Sequence, residues 1–170
     1  INFPDNKFRV FVSPYIKPYI IDDIFWEVFD MASNSQAPMS LRAIGAFTVD
    51  KFSLPDKMAT EDWTVEDLDL EKVETKVFEV LSETHEEVLK LIDGFLTFED
   101  FYAYAVENSP NPAGHDLMGM LLMIHREQYQ EALQMAEGLI AKRDFGDFQN
   151  KSKWINEYIV DYCKEKLKAD

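Results

Sequence analysis

The side chains of this chain that could do acid–base or metal chemistry are few and widely separated. The three histidines are His85, His115 and His125, and none of them stands in an HExxH motif or at another metal-ligand spacing. Because Glu86 and Glu87 follow His85, it could serve as a ligand or a base, but we expect a residue on a solvated helix face. His115 and His125 are predicted at the start and the end of a helix.

Cys163 is the one cysteine, and a thiol is reactive only where its surroundings favour the thiolate. Lys164 beside it is such an influence, but no suitable histidine partner is evident. We therefore predict a partly buried structural thiol. A single cysteine also rules out an intrachain disulfide, which favours a reducing, cytoplasmic location.

The acidic residues do not follow a metal-binding pattern either. No Glu precedes a His by three residues, as it does in di-iron helical bundles, and TEDWTVEDLDLE lacks the glycine of a calcium loop. The sequence contains no GxGxxG, GxxxxGK[ST] or GxSxG motif for phosphate binding or hydrolysis. It thus predicts no catalytic residue, no metal and no cofactor.

Charge is the strongest signal in the chain. Residues 61–110 contain 3 Lys and Arg against 15 Asp and Glu, a balance of −12 in a chain whose net charge is −15. Such a field repels nucleic acid and anionic membranes and attracts a basic protein. We predict a protein-binding module with these partner-binding residues: Asp62, Trp63, Glu66, Asp67, Asp69, Glu71, Glu74, Glu83, Glu86 and Glu87. The alternative is a helix that its acids only keep solvated.

Arg42 offers a second functional interpretation. It lies in a mainly apolar segment that is predicted as a strand, and a buried guanidinium needs an anion. That anion is either a neighbouring side chain or a substrate carboxylate or phosphate. An enzyme with an anion-binding site near Arg42 is therefore the alternative function, although we expect no enzyme. A structural or regulatory subunit is the third.

The elements that position these residues indicate a single α+β domain over residues 1–170. Period-two alternation predicts strands at residues 8–13 and 41–49, and a helical pattern predicts a helix over 18–31. Residues 1–60 thus form a mixed part with a small β-sheet and a helix. The mainly helical C-terminal two-thirds, residues 61–170, is expected to pack on it around one core.

The pattern becomes helical from Glu61 onward. An aliphatic stripe predicts a long helix over residues 70–93, with the acids mostly beside or opposite the stripe and Gly94 at its end. The stripe is expected to face the core and consists of Leu70, Val73, Val77, Val80, Leu81, Thr84, Val88, Leu91 and Ile92. No apolar run approaches the length of about 18–20 residues that a membrane span needs.

Two polar signals mark later helix starts. Thr97, with Asp100 three residues on, approximates a capping box at the start of the next helix. Asn150 is expected to cap the last helix.

The stretch LLMIHREQYQEALQMAEGLIAKRD predicts two helices joined near residues 126–128. Its hydrophobic first helix, polar turn with Tyr129 and following EALQMAEGLI resemble one helical hairpin of the tetratricopeptide type, over about residues 117–143. Ala132 and Ala136, one turn apart, would let the two helices approach closely. Because the period of about 34 residues is absent, the resemblance implies a helix pair and not a repeat array.

In its size, acidity, α+β layout and lack of catalytic motifs, the chain also resembles small bacterial immunity-type proteins, which neutralise a toxin by binding it. This resemblance is one of composition, without a shared motif. It implies a stoichiometric inhibitor of a basic toxin domain, such as a nuclease.

Overall fold

The computed structural model describes residues 7–39, 42, 49, 52–55, 57–64, 69–108 and 115–169, with the backbone alone for residues 7–10 and 57–64. In chain order, the strands and helices are β1 (Lys7–Val12), β2 (Tyr15–Ile16), α1 (Tyr19–Val28), a 3₁₀ helix (Ala32–Gln36), β3 (Phe52–Ser53), β4 (Lys57–Thr64), α2 (Leu70–Ile92), α3 (Phe98–Asn108), α4 (His115–His125), α5 (Tyr129–Ala141), β5 (Gln149–Asn150), β6 (Lys153–Trp154) and α6 (Ile155–Ala169). The described strands pair antiparallel, as β1 with β4, β2 with β3 and β5 with β6. A small sheet near the N-terminus and a helical majority confirm the predicted α+β class.

The chain divides into two compact units. Unit 1 comprises Ile1–Ile16 and Lys51–Leu96, and unit 2 comprises Lys17–Asp50 and Thr97–Asp170. The division therefore does not follow the boundary predicted near residue 60. A single domain with one shared core stays a prediction.

Unit 1 contains the antiparallel pair of β1 and β4. Strand β1 confirms the first predicted strand, and its Phe8 lies opposite Trp63 of β4. Between this pair and the pair of Val10 with Ala59 the register shifts, so that residues 60–62 oppose a single residue of β1. A bulge of this kind bends the strand and strengthens its twist.

Strand β4 shows that the prediction of a helical part beginning at Glu61 is wrong. The strand continues to Thr64, and the helix begins only at Leu70. Pairing with β1, which is distant in sequence, gives this acidic segment backbone partners that no local pattern reveals. The local signal for the helix start is Asp69, whose Oδ1 accepts a hydrogen bond from Glu71 N over 3.1 Å.

Helix α2 confirms the long acidic helix predicted over residues 70–93. The turn after it contains Gly94, as the sequence predicts. Val80 and Thr84 are its buried residues, and the Thr84 hydroxyl donates to the Val80 carbonyl over 2.6 Å. The aliphatic stripe is therefore covered along one edge and not over its whole width.

Unit 2 has an aromatic core. Helix α1, which confirms the predicted helix 18–31, buries Phe25 and Trp26, and Phe29 is buried directly after it. The Phe25 ring stacks on Phe29 and meets Phe148 edge-on, in each case with 5.1 Å between ring centroids. Aromatic pairs of this geometry contribute about 0.5–1.5 kcal/mol beyond their buried area.

Helices α4 and α5 confirm the predicted pair joined near residues 126–128, since α4 ends at His125 and α5 begins at Tyr129. Ala132 and Ala136 have no exposed surface, and α5 packs against both α4 and α6. Small side chains at these positions allow close packing of helices. The tetratricopeptide resemblance itself stays a prediction.

Helix α3 begins with the predicted capping box. The N–H and the hydroxyl of Thr97 donate to Asp100 Oδ2 over 2.9 and 3.0 Å, and Asp100 N donates to the Thr97 hydroxyl over 3.2 Å. The two residues thus satisfy each other's backbone donors at the helix start.

The prediction that Asn150 caps the last helix is wrong, because the helix begins only at Ile155. Asn150 ends β5 in a hairpin whose turn residues Lys151 and Ser152 have positive φ values of 47° and 64°. Such φ values suit a two-residue hairpin turn but are unusual for residues other than glycine, asparagine and aspartate. Helix α6 starts after Trp154, whose N–H donates to Glu157 Oε2 over 2.8 Å.

The strand predicted over residues 41–49 is wrong at Arg42, which is helical and donates from its N–H to the Pro38 carbonyl over 3.1 Å. Pro38 directly precedes this helical segment, in which Met39 is the first helical residue. Val49 is buried outside any strand. The other residues of the predicted strand lie outside the described ones.

Candidate functional site

The predicted partner-binding residues fall on β4, on α2 and between them. Asp62 and Trp63 belong to β4, where the backbone alone is described, so their role in partner binding stays a prediction. Glu66 and Asp67 lie outside the described residues. The other predicted residues are described with their side chains: Asp69, Glu71, Glu74, Glu83, Glu86 and Glu87.

Asp69 has a structural role at the start of α2. Besides capping the helix through Oδ1, it places Oδ2 3.6 Å from Lys72 Nζ. A side-chain cap of this kind stabilises a protein by about 0.5–2 kcal/mol. Any contribution of Asp69 to partner binding must therefore be separated from its contribution to the helix.

The other acids of the predicted site are exposed on α2. Within the described part of the chain, Glu71, Glu74, Glu83 and Glu86 form no ion pair with a lysine, arginine or histidine. The lysines of the first turns pair with other acids, Lys72 with Asp69 and Lys76 with Glu79 over 3.2 Å. The uncompensated negative charge of α2 therefore lies on these four carboxylates.

The spacing of the acids on α2 also brings like charges together. Glu79 precedes Glu83 by four residues, and Glu83 precedes Glu87 by four. Like charges at this spacing destabilise a helix by about 0.2–0.5 kcal/mol per pair. At Glu79 this repulsion is reduced by Lys76, whose Nζ lies 3.2 Å from Glu79 Oε2.

Sequence reasoning missed an exposed apolar stripe on the same helix, formed by Phe78, Leu81, Leu89 and Ile92. Leu81 and Ile92 were expected in the buried stripe, but they are exposed because α2 is covered along its Val80 edge only. The sequence did contain a signal for this exposed stripe, because Phe78 and Leu89 lie outside the predicted aliphatic stripe. They are eleven residues, or about three turns, apart and so lie on the same side of the helix.

Arg42 has its anion within unit 2. Its Nη2 donates to Asp23 Oδ1 over 2.6 Å and to the Tyr19 carbonyl over 3.2 Å. The guanidinium also lies over the rings of Tyr19 and Trp26, 5.0 and 5.2 Å from their centroids. Because a neighbouring carboxylate and two aromatic faces hold it, Arg42 does not require a substrate anion.

The histidines lie where the sequence predicts, whereas the cysteine is buried more deeply. His85 is exposed on α2, His115 begins α4, and His125 ends α4 with its ring 6.1 Å from that of Phe98. Cys163 is fully buried on α6, deeper than predicted, and burial raises the pKa of its thiol to about 11. It is a structural thiol.

Among the described residues, no three His, Cys, Asp or Glu side chains come together in a way that could hold a metal ion. In that same part of the chain, no helix has both the length and the apolar character needed to cross a membrane. No protein-family model, curated protein or solved structure matches the chain. The exposed carboxylates and apolar side chains of α2 are thus the basis for a functional proposal.

Proposed function

We propose that this protein is an acidic, cytoplasmic protein-binding module that binds a basic protein through the exposed face of α2. The observation that carries the proposal is the set of exposed carboxylates without a cationic partner in the described chain: Glu71, Glu74, Glu83 and Glu86. Lysines and arginines of a partner would supply the missing cations. Charge complementarity of this kind raises the association rate and the selectivity of binding.

The partner class that fits best is a toxin domain with a nucleic-acid site, such as a nuclease. Such a site is basic because it neutralises phosphates, so an acidic helix can occupy it and act as a stoichiometric inhibitor of the immunity type. The same charge disfavours nucleic acids and anionic membranes as partners of this protein.

The test compares three baits in affinity capture from a lysate of the source cells, followed by mass spectrometry. The baits are the native protein, the variant Glu74→Gln/Glu83→Gln/Glu86→Gln, and the control Glu107→Gln/Glu131→Gln/Glu165→Gln. The control changes the net charge equally but alters exposed acids of unit 2. We expect the native bait and the control to retain a basic protein that the α2 variant does not retain. Moderate salt should release that protein.

The proposal is overturned if the α2 variant and the control retain the same proteins in equal amounts. In that case the charge of α2 serves solubility alone. Circular dichroism and urea unfolding of the three baits confirm that each is folded before capture.

A further inference from the structure

The exposed apolar stripe of α2 is a continuous row of large side chains. Phe78, Leu81, Leu89 and Ile92 have 71%, 49%, 45% and 42% of their surfaces accessible. Spacings of three, eight and three residues place them along one side of the helix over about 21 Å. His85, also exposed, stands four residues from both Leu81 and Leu89 and completes the row.

The fold of unit 1 does not account for this row. The covered edge of α2 is the one with Val80 and Thr84, whereas the stripe runs along the neighbouring edge. Scattered exposed leucines are ordinary on protein surfaces, but large apolar side chains in a row mark an interaction site.

Uncompensated acids border the stripe. Glu74 stands one turn before Phe78, and Glu86 stands three residues before Leu89, so both carboxylates neighbour the apolar row. Each is exposed and has no ion pair within the described residues. A partner that fits must therefore bring an apolar surface of helical spacing with positive charge at its edges.

We infer that the exposed stripe of α2 binds an amphipathic helix of the basic partner, with the partner's apolar row against Phe78, Leu81, Leu89 and Ile92 and its lysines or arginines beside Glu74 and Glu86. This inference rests on the proposed function and adds the secondary structure of the partner and the source of the affinity. Aromatic and aliphatic anchors supply most of the energy of such contacts, while the charges fix selectivity.

A second copy of this chain fits the stripe less well. Two copies of α2 would set Glu74 and Glu86 against acids of the same helix, in a protein whose net charge is −15. Like charges brought together at an interface oppose association. The basic helix avoids this repulsion.

The test uses a fluorescent three-heptad peptide with leucines at the a and d positions and lysines at e and g. Its control has the same composition, scrambled so that the leucines surround the helix. Fluorescence anisotropy measures both peptides against the native protein, Phe78→Gln/Leu81→Gln, Glu74→Gln/Glu86→Gln and the control Ile20→Gln/Leu167→Gln. The last pair removes exposed apolar residues of unit 2.

We expect the native protein to bind the amphipathic peptide at least about tenfold more tightly than the scrambled one. The substitutions at Phe78 and Leu81 should abolish that preference, and those at Glu74 and Glu86 should weaken binding of both peptides and flatten its salt dependence. The control pair should leave all affinities unchanged. Urea unfolding confirms that every variant is folded.

Equal binding of the two peptides, unaffected by the changes at Phe78 and Leu81, overturns the inference but leaves the proposed function intact, because charge alone then captures the partner. If the changes at Glu74 and Glu86 leave the affinities unchanged, both the inference and the proposed function are overturned. The inference is also overturned if sedimentation shows that the native protein is a dimer and that Phe78→Gln/Leu81→Gln is a monomer. In that case the stripe binds a second copy of the chain.

Discussion

Lys17 Nζ lies 2.8 Å from Asp22 Oδ2 in unit 2, and the two side chains have only 8% and 0% of their surfaces exposed. Asp22 Oδ1 also accepts a hydrogen bond from Val49 N over 3.0 Å. Burial raises the pKa of the Asp22 carboxyl, and the neighbouring Lys17 opposes that rise without cancelling it. The buried carboxylate is thus tolerated because its partners compensate part of its desolvation.

Lys17→Met should therefore destabilise the protein by about 3–5 kcal/mol at neutral pH, because it leaves the Asp22 carboxylate buried without its ammonium. The double variant Lys17→Met/Asp22→Asn removes the charge as well and should recover most of that loss. Urea unfolding at pH 7 measures the free energy of unfolding of each variant. A double variant as unstable as Lys17→Met would show that the methionine packs badly and that the charge is not responsible.

The pH dependence of Asp22→Asn tests the same carboxyl without disturbing its hydrogen bond from Val49. Because the folded pKa is raised above the ordinary value of 3.8, the folded state binds the proton more tightly than the unfolded state does. This contribution to stability is fully present below pH 3.8 and is lost as the pH rises through the folded pKa. The stability of the native protein relative to Asp22→Asn should thus fall as the pH rises above 3.8 in urea titrations. A relative stability that rises with pH would mean that Lys17 outweighs burial.

The parts of the fold that were predictable from sequence are those determined by neighbours in the chain. Thr97 and Asp100 cap each other, and Asp69 caps α2 two residues away, so the sequence places both helix starts. The errors involve partners that are distant in sequence. Strand β4 depends on β1, and Asn150 donates from Nδ2 to the Phe29 carbonyl over 3.0 Å, 121 residues away.

Asp69 belongs to the predicted partner-binding residues, so its capping role needs a separate measurement. Asp69→Ala removes the acceptor for Glu71 N and should cost about 0.5–2 kcal/mol of unfolding free energy. Asp69→Asn keeps an acceptor and should cost less, which makes it the suitable change for binding experiments. Urea unfolding compares the two variants. Equal losses would assign the effect to the charge and not to the hydrogen bond.

The candidate site was predictable in its charge but not in its apolar component. Spacing places Glu83 and Glu86 away from the aliphatic stripe and Glu74 beside it, and all three are exposed on α2. Periodicity could not show which edge of that stripe the rest of unit 1 covers. Leu81 is accordingly a large apolar residue of the predicted stripe whose exposure follows from tertiary structure alone.

Gly146 and Gly138 should respond oppositely to substitution by alanine. Gly146 has φ of +82°, and a Cβ there would stand 2.5 Å from Cγ2 of the fully buried Ile155. Gly146→Ala should therefore lower the free energy of unfolding by about 1–3 kcal/mol through backbone strain and overpacking. Gly138 lies within α5 with open space around it, so Gly138→Ala should raise the free energy of unfolding by about 0.5–1 kcal/mol. This account is contradicted if urea unfolding shows that both variants are more stable, or both less stable, than the native protein.

Cys163 should be protected from alkylation in the folded protein. Its thiol is fully buried on α6, and burial raises its pKa to about 11, so both access and the thiolate population are low at pH 8. Iodoacetamide should therefore modify it only as fast as the protein opens, and urea should restore the reactivity of a free thiol. The matched control is Leu167→Cys in a Cys163→Ala background, because Leu167 is exposed on the same helix and its replacement should react at once. Mass spectrometry follows both reactions. The opposite outcome is a rapid alkylation of native Cys163 whose rate is proportional to reagent concentration and does not change with urea. It would show that α6 opens locally and that its buried face is not part of a stable core.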